Sequence, residues 1–268
     1  MRGVDISKYQ SKLQMIHIIS VGYDFVILRG GYTGFGENRT KNKDNTFEKF
    51  YMQSRKYDVP VGVYYYSCAR SRSEGEAEAA FLYENCLKGK KFEMPIYIDV
   101  EDYHWQVGHK DGVTDAIIGF CEYLEAKGYF VGVYASLSWF NSQIDTSRLE
   151  KYTKWVAAWS KKKPVVKFKG FDMWQCTDNG KIGTVRVDVN EAFVDFPSTI
   201  KRAEKNGYTE STVIEAPKAT ITEVFHDVKA GDTLSAIAKR YNTTVEALVQ
   251  KNAIKDKNKI YVGQRIKI

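Results

Sequence analysis

Acidic side chains stand at the ends of apolar runs that have the composition of buried strands. Asp5 ends the first such run, and Asp188 lies in the last one. Between them, Asp99 and Glu101 end the run that begins at Pro95. Aspartate is depleted in strands, so these placements favour a chemical role. Residues two apart in a strand share one face, so we expect Asp99 and Glu101 on the same face with Cα atoms about 6.5–7 Å apart.

Two carboxylates at this spacing oppose each other's ionisation, and an aromatic lining would desolvate them further. We therefore expect one of the pair to hold a proton near neutral pH while the other is ionised. Glycosidic bond cleavage requires this combination, because the acid protonates the leaving oxygen and the anion supports the oxocarbenium-like centre.

Other roles for these carboxylates stay open on the sequence alone. Strand-end carboxylates also cap helices or pair with lysines, and carboxylate clusters also bind Mg²⁺. The sequence has no phosphate-binding loop, which disfavours a magnesium site. Asp102 has the opposite strand parity and is interpreted as structural, while His104 and His109 are interpreted as loop histidines. The sequence therefore predicts no metal and no cofactor.

Aromatic residues surround the same strand ends. Flat rings stack on the C–H faces of a pyranose, although an aromatic residue in a strand is more often part of the core. The rings at or near strand ends are Tyr64, Tyr66, Tyr134, Trp159 and Trp174. Their shared position with the acids favours a carbohydrate substrate.

Eight runs rich in Val, Ile, Tyr and Phe recur along the first 208 residues, nearly continuous as in strands buried on both faces. The runs are Gly3–Ile6, Phe25–Gly30, Val61–Tyr66, Pro95–Val100, Phe130–Ala135, Trp155–Trp159, Phe171–Gln175 and Val185–Val189. Helical patterns lie between the early runs, at Asp44–Tyr57, at Ser73–Leu87 with Ser73 as its cap, and at Thr114–Lys127 with Thr114 as its cap. This alternation predicts parallel strands joined by right-handed crossovers.

The last three runs are too close together for intervening helices. About eleven residues separate the sixth run from the seventh, and about nine, including Asn179-Gly180, separate the seventh from the eighth. Both gaps predict hairpins. The predicted fold class is therefore α/β, as an incomplete TIM-like (β/α)5(β)3 barrel. An open doubly wound sheet is the alternative, disfavoured because no Gly-x-Gly-x-x-Gly loop follows a strand.

Composition limits the class of protein. The chain has 268 residues and a formal net charge of +7. No apolar run approaches the roughly 20 residues of a membrane span, and the first residues lack a signal-peptide pattern. Cys68, Cys86, Cys121 and Cys176 contain no Cys-x-x-Cys pair and are predicted to be reduced, mostly buried thiols. These features predict a protein made and kept in a reducing cytosol.

A change in composition marks a second domain. A stretch rich in Thr, Ser, Glu and Ala around Pro217 predicts a linker at 209–223, between domains at 1–208 and 224–268. Residues 225–268 carry nine basic and four acidic side chains. This excess of positive charge favours an anionic partner, and a solvated lysine-rich surface is the alternative.

Seven motifs, in order along the predicted strands, resemble the core motifs of glycoside hydrolase family 25. They are Gly3–Ser7, Gly62–Tyr66, Tyr97–Glu101, Gly132–Tyr134, Ala157–Trp159, Met173–Gln175 and Val187–Asn190. The resemblance covers residues 1 to about 208. It implies a lysozyme that hydrolyses the β-1,4 bond between N-acetylmuramic acid and N-acetylglucosamine in peptidoglycan, on an incomplete barrel.

The resemblance also implies a role for each acid. Glu101 would be the general acid, and Asp99 would stabilise the oxocarbenium-like or oxazolinium-like centre, with the substrate's N-acetyl oxygen as the internal nucleophile. Asp5 and Asp188 would line the site and tune its charge. The five aromatic residues above and Gln175 would bind the substrate. Retention or inversion at the anomeric carbon stays open.

The C-terminal residues resemble a LysM domain through Val228–Ala238, Tyr241–Leu248, Asn252 and Ile260–Ile268. Their pattern predicts a small α+β fold of βααβ order, with Asp232 or Thr233 capping the first helix and Thr243 or Thr244 the second. The resemblance implies binding of N-acetylglucosamine-containing glycans. The residues that would form the groove are Gly231, Asp232, Thr233, Asn252, Ala253 and Ile254. The sequence has no exposed aromatic stacking positions or recognition helix here, which disfavours nucleic acid.

Together these features predict a two-domain peptidoglycan hydrolase, with a catalytic barrel tethered to a wall-binding module. Without a signal peptide or disulfides, it is expected to be a phage endolysin that accumulates in the host cytoplasm and acts on the bacterial cell wall, with no membrane or nucleic-acid partner. A catalytically silent glycan-binding protein is the alternative, disfavoured by the intact pair of Asp99 and Glu101. An amidase or peptidase would need a zinc site or a Cys/His pair.

Overall fold

Eight strands close into a barrel in the computed structural model, which describes residues 1–34, 38–209, 225–241, 243–254 and 256–268. The strands of this domain are β1 (Arg2–Ile6), β2 (Phe25–Thr33), β3 (Lys41–Lys43), β4 (Val61–Ser67), β5 (Ile96–Val100), β6 (Val131–Ser136), β7 (Thr153–Ala157), β8 (Met173–Ile182) and β9 (Val185–Ala192). Their order is β1-β9-β8-β7-β6-β5-β4-β2, with β3 outside the ring on β2, and pairing of β1 with β2 closes the barrel. The predicted barrel is confirmed, and the open doubly wound sheet is wrong.

All the barrel strands except β9 run in one direction. Each neighbouring pair from β1 through β2, β4, β5, β6 and β7 to β8 is parallel, whereas β9 is antiparallel to both β8 and β1. The predicted hairpin between β7 and β8 is therefore wrong. Segment 158–172 is long enough to carry the chain back across the barrel without a helix.

The hairpin between β8 and β9 is confirmed, but its turn is displaced. The turn lies at Gly183-Thr184, and Asn179-Gly180 is part of β8. Gly180 lies so close to the neighbouring strand that an added Cβ would be 2.4 Å from a Val189 side-chain carbon. Close strand packing, not a turn, therefore explains this glycine.

Each of the first five parallel barrel strands is followed by a helix, which is the predicted (β/α)5(β)3 order. The α-helices of the described barrel are α1 (Met15–Ser20), α2 (Phe47–Lys56), α3 (Arg72–Leu82), α4 (Lys110–Ala126), α5 (Leu137–Ser142) and α6 (Phe196–Arg202). A π-helical turn, Tyr83–Leu87, extends α3.

Two predicted helix caps are wrong. The cap of α3 is Ser71, whose hydroxyl accepts a hydrogen bond from the Glu74 N–H, because the same Ser-x-x-Glu spacing occurs two residues before Ser73. Helix α4 begins at Lys110, so Thr114 lies inside it and its hydroxyl donates to the Lys110 carbonyl at 2.8 Å. Ser and Thr make such local bonds within helices as well as at caps.

Apolar side chains form one core inside the barrel and another between the strands and the helices. Alternate residues of a strand point to opposite faces, so each buried strand contributes to both cores. Inside the barrel, the Trp155 ring lies 4.4 Å from that of Tyr134 and 5.2 Å from that of Tyr97. These rings form the floor beneath the carboxyl ends of the parallel strands.

The segment after α6 closes the opposite end of the barrel. Asn206 is fully buried there; its Nδ2 donates to the Met94 carbonyl at 3.0 Å, and its Oδ1 accepts from the Phe130 N–H at 2.7 Å. The Tyr208 hydroxyl donates to the Glu93 carboxylate. These bonds tie the chain up to Tyr208 to the barrel, and the domain limit at 208 stays a prediction.

The C-terminal residues form their own small domain. Its elements are β10 (Phe225–Asp227), α7 (Leu234–Arg240), α8 (Val245–Lys251) and β11 (Arg265–Lys267). The two strands pair antiparallel, and a separate apolar core lies around Ile237, Leu248 and Ile266. The predicted βααβ order is confirmed, with Thr233 and Thr244 as the helix caps. Apart from Thr209, the predicted linker lies outside the described residues.

The four cysteines are free thiols, three of them buried and Cys176 half-buried. Within the described ranges, no helix is long and apolar enough to cross a membrane.

Candidate active site

The four sequence-predicted acids meet in one cavity. Asp5, Asp99, Glu101 and Asp188 all line a space of about 730 Å³ at the carboxyl ends of β1, β2, β4 and β5. The other charged and aromatic residues of its wall are Lys8, Tyr9, Arg29, Tyr32, Tyr64 and Tyr66. The cavity is thus a carboxylate cluster bordered by tyrosines and by two cations.

Asp5 and Asp188 face each other across the antiparallel pair of β1 and β9. The Asp5 carboxylate accepts hydrogen bonds from Asn190 Nδ2 at 2.9 Å and from Gln175 Nε2 at 3.0 Å. Burial raises the pKa of Asp5, and these donors oppose the shift. Burial and the neighbouring Asp5 raise the pKa of Asp188 to about 8. At neutral pH this pair therefore favours one bound proton, shared between Asp5 and Asp188.

Asp99 and Glu101 form a second pair with raised pKa values. Asp99 is almost fully buried, its Oδ1 has no hydrogen-bond partner in the described structure, and burial with the charges of Glu101 and Asp5 raises its pKa well above the ordinary value. Burial, Asp5 and Asp102 raise the pKa of Glu101 to about 7. The Arg29 guanidinium opposes the shift at Asp99. The pair therefore favours one bound proton, as the strand spacing predicts.

Asp102 holds the loop that follows β5. Its carboxylate accepts from the Tyr66 hydroxyl at 3.1 Å and from the backbone N–H groups of His104 and Trp105 at 3.1 and 2.8 Å. This buried residue has the structural position that its strand parity predicts. Tyr66 reaches Asp102 and also lines the cavity.

Gln175 links two of the predicted aromatic residues to the acids. Its Oε1 accepts from the Tyr134 hydroxyl at 3.0 Å and from Trp159 Nε1 at 3.1 Å, while its Nε2 donates to Asp5. Tyr134 is buried, whereas Trp159 is 62% exposed. These residues thus lie beside the cavity, joined to it through Gln175.

Trp174 is not brought to the cavity. Alternation along β8 places it on the face opposite to Met173 and Gln175, whose side chains point into the barrel. It is buried, and its Nε1 donates to the Ala158 carbonyl at 2.7 Å. Trp174 belongs to the Met173–Gln175 motif, but its ring supports segment 158–172 and does not line the cavity.

The structure adds residues that the sequence patterns did not single out. Asn190 joins the floor to the acids, because its Oδ1 accepts from Trp155 Nε1 at 2.9 Å while its Nδ2 donates to Asp5. Arg29, on β2, and Lys8, after β1, are the two cations of the cavity lining. A charged residue followed by two glycines at the end of a buried strand is the signal that could have identified Arg29.

In the C-terminal domain, the predicted groove residues form two turns. Asp232 accepts from the Lys229 N–H at 2.9 Å and contacts His226 Nε2 at 2.8 Å, and Thr233 caps α7. Asn252 accepts from the Lys267 N–H at 2.7 Å and donates to the Leu248 and Lys267 carbonyls. Gly231 and Ala253 have positive φ angles of 89° and 50°, and Ile254 packs against the core of this domain. The polar side chains here hold the turns through these contacts.

Searched over the described residues, the chain has no group of three or more His, Cys, Asp or Glu side chains arranged to hold a metal ion. His109 contacts Arg70 Nη1 at 3.3 Å through Nε2, at the start of α4.

Comparisons with known proteins agree with this architecture. The model of glycosyl hydrolases family 25 matches residues 4–185, and the LysM domain model matches residues 226–268. The endolysin of Bacillus phage B103 is 53% identical over 53 residues, which are 19% of this chain and 20% of that protein. This chain therefore spans about a fifth of the length of that relative.

Two solved structures share the barrel fold. The bacterial lysozyme from Streptomyces coelicolor superposes with a TM-score of 0.63 at 21% identity, covering 78% of this chain and 98% of its own. A family 25 glycosyl hydrolase from Bacillus anthracis superposes with a TM-score of 0.62 at 22% identity, covering 78% of this chain and 93% of its own. At these identities the likeness concerns the fold.

Proposed function

This chain belongs to glycosyl hydrolases family 25, and on that premise we propose that it hydrolyses the β-1,4 bond between N-acetylmuramic acid and N-acetylglucosamine in peptidoglycan. One observation carries the proposal: four carboxyl groups share a cavity of about 730 Å³ at the carboxyl ends of barrel strands. Active sites of parallel barrels lie at this end. A cavity of this volume is large enough for sugar rings.

In the proposed reaction, Glu101 is the general acid. It is less buried than Asp99, and a pKa of about 7 leaves it partly protonated at neutral pH. A group with this pKa can deliver its proton to the leaving oxygen and remain stable as an anion afterwards. Its position at the end of β5 supports contact with a glycosidic oxygen in the cavity.

Asp99 is proposed to be the anion that supports the positive charge developing at the sugar ring. The pair of Asp99 and Glu101 disfavours two charges, and burial with the charges of Glu101 and Asp5 raises the pKa of Asp99, a shift that the Arg29 guanidinium opposes. The positive charge that develops at the sugar ring is proposed to draw Asp99 into its ionised form. A buried carboxylate interacts strongly with a nearby positive centre, because water does not screen it. The substrate's own N-acetyl oxygen is the proposed internal nucleophile.

Asp5 and Asp188 are proposed to tune the charge of the site by sharing a second proton. Tyr64 and Tyr66 are the proposed sugar-stacking residues, because both line the cavity. Tyr134, Trp159 and Gln175 are proposed to shape the substrate side of the barrel through their hydrogen bonds to one another.

The LysM domain is proposed to bind N-acetylglucosamine-containing glycan at its two turns, 231–233 and 252–254. Tethering keeps the barrel at high local concentration on an insoluble polymer, so even a weak anchor aids turnover. By analogy with the phage endolysin that it matches, we propose that the protein accumulates in the host cytoplasm before it acts on the bacterial wall.

The test is the release of reducing ends from purified cell walls. Glu101→Gln is expected to lower the rate by about 10²–10⁴-fold, which is the range for loss of a general acid. Glu122→Gln, which alters an exposed glutamate of α4 paired with Arg72, is the matched control and should retain activity.

Equal release by wild type and Glu101→Gln would contradict the assignment of the acid. No release by wild type would favour the silent glycan-binding protein. New amino groups without new reducing ends would favour an amidase or peptidase.

A further inference from the structure

The Arg29 side chain is held rigidly at the wall of the cavity. Its Nε donates to Asp44 Oδ2 at 2.8 Å. Asp44 is itself fixed, because it accepts from the backbone N–H groups of Lys8 at 3.0 Å and Thr46 at 2.9 Å. The guanidinium carbon lies 5.2 and 5.0 Å from the ring centroids of Tyr9 and Tyr32. A planar cation between two rings with one nitrogen bonded has little freedom to rotate.

Arg29 keeps hydrogen-bond donors unused. Its ion pair with Asp44 occupies Nε, and Nη2 is buried without a hydrogen-bond partner in the described structure. The residue is 9% exposed and lines the cavity. A buried N–H group without a partner costs about 1–3 kcal/mol, so the unpaired Nη2 requires an explanation. The residue also lines the cavity, so a small shift of the guanidinium would let a ligand there supply the missing acceptor.

The backbone of β2 is shaped to aim this residue. The register between β2 and β4 shifts between Arg29 and Gly31, which marks a bulge at Gly30. A Cβ on Gly30 would be 2.5 Å from Leu82 Cδ1, and one on Gly31 would be 2.6 Å from the Asn42 carbonyl. Bulges next to active sites commonly redirect a side chain, and only glycine fits here.

The charges of the cavity indicate what the forked guanidinium of Arg29 would bind. Four acids line the cavity, and Arg29 and Lys8 are the cations of its lining. An anionic or acceptor-rich group of a bound glycan is repelled by the acids and attracted to the guanidinium. In a polymer that alternates two amino sugars, the muramic acid unit alone carries a carboxyl-derived group, on its lactyl ether.

Resting on the proposed function, we propose that the terminal nitrogens of Arg29 bind the lactyl carboxyl oxygens of N-acetylmuramic acid. The acceptor is a carboxylate in glycan without stem peptides and an amide carbonyl where a stem is attached. Seating this group at Arg29 places one of the two alternating β-1,4 bonds at Glu101. Arg29 is therefore the residue that determines which linkage is cut.

The experiment measures binding by calorimetry in the full chain with Glu101→Gln, which prevents turnover. The ligands are a stem-free peptidoglycan tetrasaccharide, the same glycan with stem peptides, and chitotetraose, which lacks lactyl groups. Arg29→Lys keeps the charge and loses the fork, and is expected to weaken binding of the lactyl-bearing glycans by about 10–100-fold, as for loss of a charge-assisted bond. Chitotetraose should change less than about two-fold, since it makes no such bond.

Two further variants separate recognition from folding. Tyr9→Ala removes a ring from the guanidinium face at a residue that is 75% exposed, and should weaken the same two ligands several-fold. Arg72→Met, at an exposed arginine of α3, is the control and should bind all three glycans as the parent does.

If Arg29→Lys weakens binding of the stem-free glycan alone, the lactyl carboxylate is the group that Arg29 binds. If it weakens binding of both lactyl-bearing glycans, the carbonyl oxygen that they share is that group. Equal weakening of all three glycans, or of none, would overturn the assignment of Arg29. Failure of the parent chain to bind any of them would instead contradict the proposed function.

Discussion

Replacing Asp188 by asparagine is expected to stabilise the protein at neutral pH. Burial and Asp5 raise the pKa of Asp188 from 3.8 to about 8. An acid with a raised pKa contributes its full stability below its unfolded pKa and loses it as the pH rises toward the folded pKa. At pH 7 the loss has an upper limit of about 4 kcal/mol, at about 1.36 kcal/mol per pH unit. Because Asp188 is only partly buried and shares its proton with Asp5, we expect about 1–3 kcal/mol.

The asparagine amide is neutral at every pH and still offers a donor to Asp5. The gain over wild type should therefore be near zero at pH 4, grow through pH 7, and level off above pH 8. Urea unfolding at these pH values measures it. Asp115→Asn, which breaks the exposed pair with Arg148, is the control and should lose at most about 1 kcal/mol. A gain that is equal at pH 4 and pH 7, or a loss at pH 7, would refute the shared proton between Asp5 and Asp188.

Two other predictions concern the ends of the barrel domain. Asn206→Ala leaves the Phe130 N–H and the Met94 carbonyl without their partners, so urea unfolding should show that the free energy of unfolding falls by about 2–5 kcal/mol. The control Asn141→Ala, at an exposed position, should change it by less than about 0.5 kcal/mol. Equal effects of the two substitutions would contradict the role of Asn206. Deletion of residues 209–268 should preserve the turnover of soluble glycan, because each domain has its own core. Cosedimentation of the shortened protein with whole walls should fall. Loss of both turnover and cosedimentation would show that the domains depend on each other.

The strands of the barrel are predictable from the sequence because each is buried on both faces and forms a nearly continuous apolar run. The pairing of β7 with β8 is not, since a segment such as 158–172 has a length that suits either a long hairpin or a return crossing. Helix starts are similarly ambiguous. Ser71 and Ser73 both stand three residues before a glutamate. The first alternative is accompanied by a tertiary ion pair of Glu74 with Arg39 and by a local hydrogen bond from the Arg70 N–H to Glu74.

The candidate site, too, is only partly predictable from the sequence. Asp99 and Glu101 are neighbours in one strand, so period-two geometry alone places them together. Trp174 shows the limit of this reasoning: strand-end position does not say which face a ring occupies, and one step of parity separates it from Gln175. Motif membership therefore identifies the region of the site more reliably than the individual contacts.

The charge before two glycines marks the position of Arg29 in the sequence, but local patterns do not predict its role, because its chemistry depends on residues far away in the chain. Asp44 occupies its Nε, two tyrosines hold its plane, and a bulge turns it toward acids on other strands. The acids alone would make the cavity repel the lactyl carboxylate of a stem-free peptidoglycan strand. A cation in the same cavity reverses that effect at one position, so the cluster that we propose to perform cleavage also requires a partner that orients the polymer. Charge balance in the cavity, more than any single motif, is thus the proposed connection between the pair of Asp99 and Glu101 and the choice of linkage.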